Sequence, residues 1–174
     1  AVAVISMASA GILQAAVTWT GAASAQWSND ANWSGVEPTY SDEVIFPAGY
    51  PGGFATIDLS SGEQFGHLRF YDDYTLSNGD LTTGAGAAQI TADAGRTVTI
   101  SSSFVARTDA GPTNHLYFNG SGTVILDGDN SAFPKHADLA GGTLSLRHSN
   151  AVPGSYVHVN GPNRTLELHG GLTY

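Results

Sequence analysis

The densest polar cluster in the chain joins His67 and Arg69 to the adjacent pair Asp72 and Asp73. Two carboxyl groups beside an imidazole are the raw material of general acid–base work, and on a β-helix they would suit a glycosidase or a lyase. Neighbouring residues of a strand point to opposite faces, however, so the two carboxylates would not converge. Placed just before Tyr74, the pair reads as turn chemistry, in which aspartate bonds to nearby backbone. No catalytic residue is assigned, and the chain is expected not to be an enzyme.

A second cluster, Asp127-Gly128-Asp129-Asn130, supplies oxygen ligands of the kind a hard cation takes, which makes Asp127, Asp129 and Asn130 candidate metal ligands. An EF-hand loop counted from Asp127 would need Gly at its sixth place and Glu at its twelfth, where this chain has Ala132 and Asp138. The competing account is a solvated turn between strands. Six histidines, at positions 67, 115, 136, 148, 158 and 169, form no pair with one another at i, i+2 or i, i+4. His148, His158 and His169 follow at intervals of 10 and 11 residues, so stacked strands would set two of them on one face as a weak transition-metal or pH-sensitive row. Otherwise they are exposed ladder positions. Trp19, Trp27 and Trp33 are candidates for carbohydrate binding, since indole rings stack on sugars; the alternative is a core or a cap. No G-x-S-x-G, P-loop or dinucleotide fingerprint occurs in context, and no cofactor is expected.

The elements that must position these residues are legible in the composition. In 174 residues, 41% are apolar and only 12% charged, with 22 glycines, seventeen serines, sixteen threonines and a single lysine. That is one domain with a core, built from short strands and tight turns rather than salt-bridged helices. A net charge of −9 with scattered basic residues excludes nucleic acid as a partner. The absence of cysteine removes disulfides, thiolate zinc sites and thiol nucleophiles.

Three sections follow along the chain. Residues 1–15, AVAVISMASAGILQA, are uncharged and too short for a membrane span, which needs about 20 residues. They are expected to be a signal-peptide remnant, processed after Ala10 or Ala15, or a strand donated to a neighbouring subunit. Residues 16–54 form a Trp-rich capping section. Residues 55–174 alternate strand-like runs with Gly/Asn/Asp turns, and comparable apolar positions at Leu76, Val98, Val124, Leu144 and Leu166 recur at intervals of 22, 26, 20 and 22 residues. A period near 20 with two or three short strands per unit predicts an all-β chain folded as a parallel β-helix, or solenoid. A β-sandwich or jelly roll is the alternative, because its strands recur at similar spacing.

The stretch GSGTVILDGDNSAF (120–133), followed by LAGGTLSLRHSNAVPGSYVHVNG (139–161), resembles the autotransporter-associated β-strand repeat. Asn130, Gly141, Gly142, Thr143, Leu144, Asn150, Ala151 and Gly154 match its pattern. Where the repeat has Tyr-x-Gly after the Asn turn, this chain has Ser131-Ala132-Phe133-Pro134. The segment from Trp19 to Phe46 is similar to the section that precedes such repeats in secreted bacterial proteins. The resemblance implies a right-handed β-helix, secreted and extracellular or held at the outer cell surface, serving as a structural or adhesin-like element. Self-association or surface and matrix components are then the expected partners. Two other functions compete: a carbohydrate-binding or carbohydrate-active β-helix, whose partner is a glycan, and a self-assembling extracellular filament subunit with an N-terminal donor strand. The last residues, Gly171 to Tyr174, are expected to be a sticky end where a longer parent continues or a second copy docks.

Overall fold

A computed structural model describes residues 15–60, 62–84, 87–107, 115–152 and 156–169. The expected signal remnant or donated strand (1–14), Gly154 of the repeat pattern and the C-terminal residues 170–174 lie outside them.

The described residues form an all-β solenoid of about five turns, in which every pairing between strands is parallel. Parallel pairing throughout excludes the sandwich and jelly-roll alternative, whose strands run antiparallel. One seven-stranded sheet contains β1 (Ala16–Thr18), β2 (Glu43–Phe46), β5 (His67–Phe70), β8 (Ala88–Ala92), β11 (Leu116–Gly120), β13 (Ala137–Leu139) and β15 (Val157–Val159) in that order. A six-stranded sheet contains β3 (Thr56–Asp58), β6 (Thr75–Ser77), β9 (Thr97–Ile100), β12 (Thr123–Leu126), β14 (Thr143–Leu146) and β16 (Thr165–Leu168). The first three coils add a third face from β4 (Gly62–Phe65), β7 (Asp80–Thr83) and β10 (Ser103–Ala106).

Period-two alternation drives each strand: one side chain in two turns inward and stacks on its counterpart in the next coil. In the first sheet the column runs Val17, Val44, Leu68, Ile90, Phe118, Leu139, Val159. In the six-stranded sheet one column runs Val98, Val124, Leu144, Leu166 and its neighbour Ile57, Leu76, Ile100, Leu126, Leu146, Leu168. Leu76 thus belongs to the second column and pairs with Ile100, not with Val98. The true coil intervals are 19, 24, 26, 20 and 22 residues, and the unequal lengths are taken up in the connections.

The corners between β11 and β12 and between β13 and β14 explain the glycines that precede Thr123 and Thr143. Gly120 has φ +87°, and a Cβ there would lie 2.2 Å from the Ala92 carbonyl oxygen of the coil before; at Gly142, φ +63°, it would lie 2.3 Å from the oxygen of Gly122. Only glycine supplies both the left-handed backbone and the close approach.

The boundary expected between residues 54 and 55 is not a structural one, because β1 and β2 already belong to the seven-stranded sheet. The loop before β2 lies across the first coil. Trp27 N–H donates to Asp58 O (2.9 Å) and Asp58 N–H to Ala25 O (2.9 Å), which covers the free edge of β3, while β1 covers that of β2. Trp19 and Trp27 each meet Trp33 edge-on, at 5.0 and 4.8 Å between centroids, and all three surround Phe46, which stacks on Phe70 at 4.7 Å. Buried Asn32 pins this loop: Oδ1 accepts from the Ala23 and Ser24 amides, and Nδ2 donates to Gln26 O.

Candidate functional site

The outward-facing column of the seven-stranded sheet reads Glu43, His67, Gln89, Tyr117, Asp138, His158. A second outward position, one residue before the strand, is occupied in successive coils by His115, His136 and Tyr156. Stacking therefore gathers side chains from three coils around Asp138. The His115 and His136 rings lie 3.7 Å apart between centroids, and His136 stacks on Tyr156 at 4.7 Å with only 9° between planes.

Asp138 is the centre of this group, and its side chain is only 6% exposed. Its two oxygens have different surroundings. Oδ1 accepts from Asn160 Nδ2 (3.0 Å) and faces His158 Nδ1 at 3.2 Å. Oδ2 is buried and has no hydrogen-bond partner, although His136 Nε2 stands 3.3 Å and His115 Nδ1 3.7 Å away. The His136 contact is close enough but misaligned and the His115 contact is too long, so the oxygen counts as unsatisfied. One ring nitrogen from each of His115 and His136 and an Asp138 oxygen lie within 4.8 Å of one another, a donor set of two imidazoles and one carboxylate.

The residues singled out from the sequence have other placements. Trp19, Trp27 and Trp33 are buried in the N-terminal cap, so no indole offers a face to a sugar and the carbohydrate-binding assignment to them is corrected to a packing role. Asn130 is also fully buried: Oδ1 accepts from the Phe104 amide (2.8 Å), and Nδ2 donates to Ala151 O (3.0 Å) and Gly128 O (3.4 Å). It carries on the third face after β10 ends. Its oxygen is committed to the backbone, which corrects its assignment as a metal ligand. Asp129 accepts from the Ser131 amide and from Asn150 Nδ2, and Asp127 is exposed beside it; the three do not form a ligand shell.

Asp72 fastens three coils. It accepts from the Gly49 amide (3.0 Å), the Tyr50 hydroxyl (3.3 Å) and Arg96 Nη1 (2.7 Å), while Asp73 accepts from the Thr97 amide (2.6 Å). The Gly49 amide, followed by that of Asp73, holds the Asp72 carboxyl below its ordinary range. Of the suspected histidine row, His148 Nδ1 accepts from the Asn150 amide and His169 Nε2 lies 2.8 Å from Ser145 Oγ; only His158 joins a cluster. The histidines that gather are His115, His136 and His158, in two adjacent positions of the face. The signal in the sequence is the one-coil spacing of His115 to His136 (21 residues) and of Asp138 to His158 (20 residues), together with the His136-x-Asp138 pair.

No protein-family model, curated protein or solved structure matches this chain.

Proposed function

We propose that this chain is a non-enzymatic β-repeat protein of the extracellular space or the outer cell surface, structural or adhesin-like, of the autotransporter-associated repeat type. The observation that carries this reading is the coil-by-coil recurrence of the inward columns, each coil packing on its neighbours. Such an architecture supplies length and a repeated display surface. The GSGT and GGTL corners on which the resemblance rests are also corners where successive coils approach closely. The acidic pair Asp72 and Asp73 is engaged in holding coils together, which weighs against a carboxylate pair poised on a glycosidic bond. Burial of the three tryptophans removes the residues on which a glycan-binding reading leaned. Among the described residues, no helix is long and apolar enough to cross a membrane.

Surface labelling of intact producing cells, with glycan-array binding and reducing-sugar release measured on the purified chain, tests the proposal. Labelling from outside, without sugar release, is expected. Signal only after cell lysis would overturn the location, and saturable hydrolysis would overturn the non-enzymatic reading.

A further inference from the structure

We infer that His115, His136 and Asp138 form a binding site for a divalent transition metal of the zinc class on the outer face of the seven-stranded sheet. Three observations converge. First, a carboxylate oxygen is buried without a hydrogen-bond partner, a costly state unless something not yet considered satisfies it. Second, the nitrogens facing that oxygen are spaced as ligands are. A tetrahedral ion with bonds of about 2.0–2.1 Å holds its ligand atoms about 3.3 Å apart. His136 Nε2 stands at 3.3 Å from Oδ2 and His115 Nδ1 at 3.7 Å. Third, the other carboxylate oxygen is already held by Asn160 Nδ2 and approached by His158 Nδ1, the outer-shell support that orients a ligating carboxylate.

The chemistry selects the ion. Two imidazoles with one carboxylate suit zinc, copper(II), cobalt(II) or nickel(II), and are poor for calcium or magnesium, which take oxygen ligands. With three protein ligands, a fourth position stays open to water or to a donor from a partner. His158, 59% exposed at the rim, is the nearest further imidazole. A ligand set drawn from the residues just before β11 and β13 and from β13 itself would clip two successive coils together. The chain's net charge of −9 favours cation approach.

The competing account is that the imidazoles serve Asp138 only as ion-pair partners. Titration of the untagged chain with zinc chloride, followed by calorimetry, separates the two. One zinc per chain is expected, with a tetrahedral cobalt(II) visible spectrum on substitution. His136→Ala and Asp138→Asn should each lower zinc affinity at least tenfold, and Asn160→Ala by about tenfold through loss of outer-shell support. His148→Ala and His169→Ala should leave it unchanged. Because Asp138 is buried, the half-buried His115→Ala provides a milder variant, and zinc-induced shifts of the His115 and His136 imidazole nitrogens in the native chain need no variant at all. The inference is overturned if the native chain takes up no zinc at millimolar concentration. It is equally overturned if uptake survives His115→Ala and His136→Ala together, or follows His148 and His169 instead.

Discussion

Replacing Asn130 by alanine tests how the solenoid holds together once its third sheet has ended. The substitution removes an acceptor from the Phe104 amide and a donor from the Ala151 carbonyl, and both of those residues are fully buried. A buried backbone group left without a partner costs about 1–3 kcal/mol, so two cost about 2–6 kcal/mol; the 3.4 Å contact to Gly128 O adds little. Against a total stability of about 5–15 kcal/mol this is a large fraction. Urea denaturation followed by circular dichroism should show a lower midpoint at unchanged slope. Hydrogen exchange should accelerate at the Phe104 amide before it does in β9 or β12. Asp129→Ala, one residue away but exposed, should shift the midpoint far less. A loss below about 1 kcal/mol in Asn130→Ala, with Phe104 exchange unaltered, would refute the account. A calcium-dependent midpoint in the native chain that vanishes in the variant would return Asn130 to the role of a metal ligand.

Two further outcomes are expected. Trp27→Ala, which removes one flank of the aromatic cap against Trp33 and Phe46, should cost about 3–5 kcal/mol in the same denaturation assay, and a cost near zero would mean that the cap does not stabilise the first coil. Acidification should lower the melting temperature in two stages. Burial depresses the His67 imidazole below its ordinary 6.5, so the unfolded chain takes that proton first and stability falls as pH drops from 6.5 towards the folded value. The carboxyls of Asp72 and Asp129 lie below their ordinary 3.8, each held chiefly by a backbone amide, so their contribution is complete above that value and is lost below it. His67→Gln should flatten the upper stage and Asp72→Asn the lower, as read by thermal melts between pH 3 and 7; a Tm that rises on acidification would contradict both.

The fold was legible because its signals are local. Alternation in segments such as Arg96–Ile100 and Thr143–Leu146, with glycine at the corners, marks strands and turns without knowledge of their neighbours. Less legible were β4, β7, β8, β10 and β13, where Gln, Thr, Ser and Ala dilute the alternation. The register of the repeat was misjudged at Leu76, since adjacent inward positions in a strand are both aliphatic and only pairing separates them. The tryptophans carried both a binding and a packing reading, and burial decided for packing. The histidine cluster escaped for a different reason. Its histidines are neighbours only across coils, so helical or strand spacing pairs none of them with another, whereas one coil length joins His115 to His136 and Asp138 to His158. Asp138 looked like a failed twelfth position of a calcium loop, yet it is the residue on which that cluster converges.

Parallel stacking also sets how the molecule would respond to being pulled. Each coil is bonded to the one before and the one after, so tension applied along the solenoid axis loads one coil-to-coil seam at a time. The seams should open in sequence. A freed coil of 19 to 26 residues pays out about 65–90 Å of extended chain at roughly 3.4 Å per residue, against an axial rise of about 4.8 Å while it was wound. A single-molecule extension trace would then show unequal steps, the longest from the 26-residue interval between Ile100 and Leu126. A tether built in this way lengthens many-fold before it breaks, and takes up load by unwinding where a compact domain would detach.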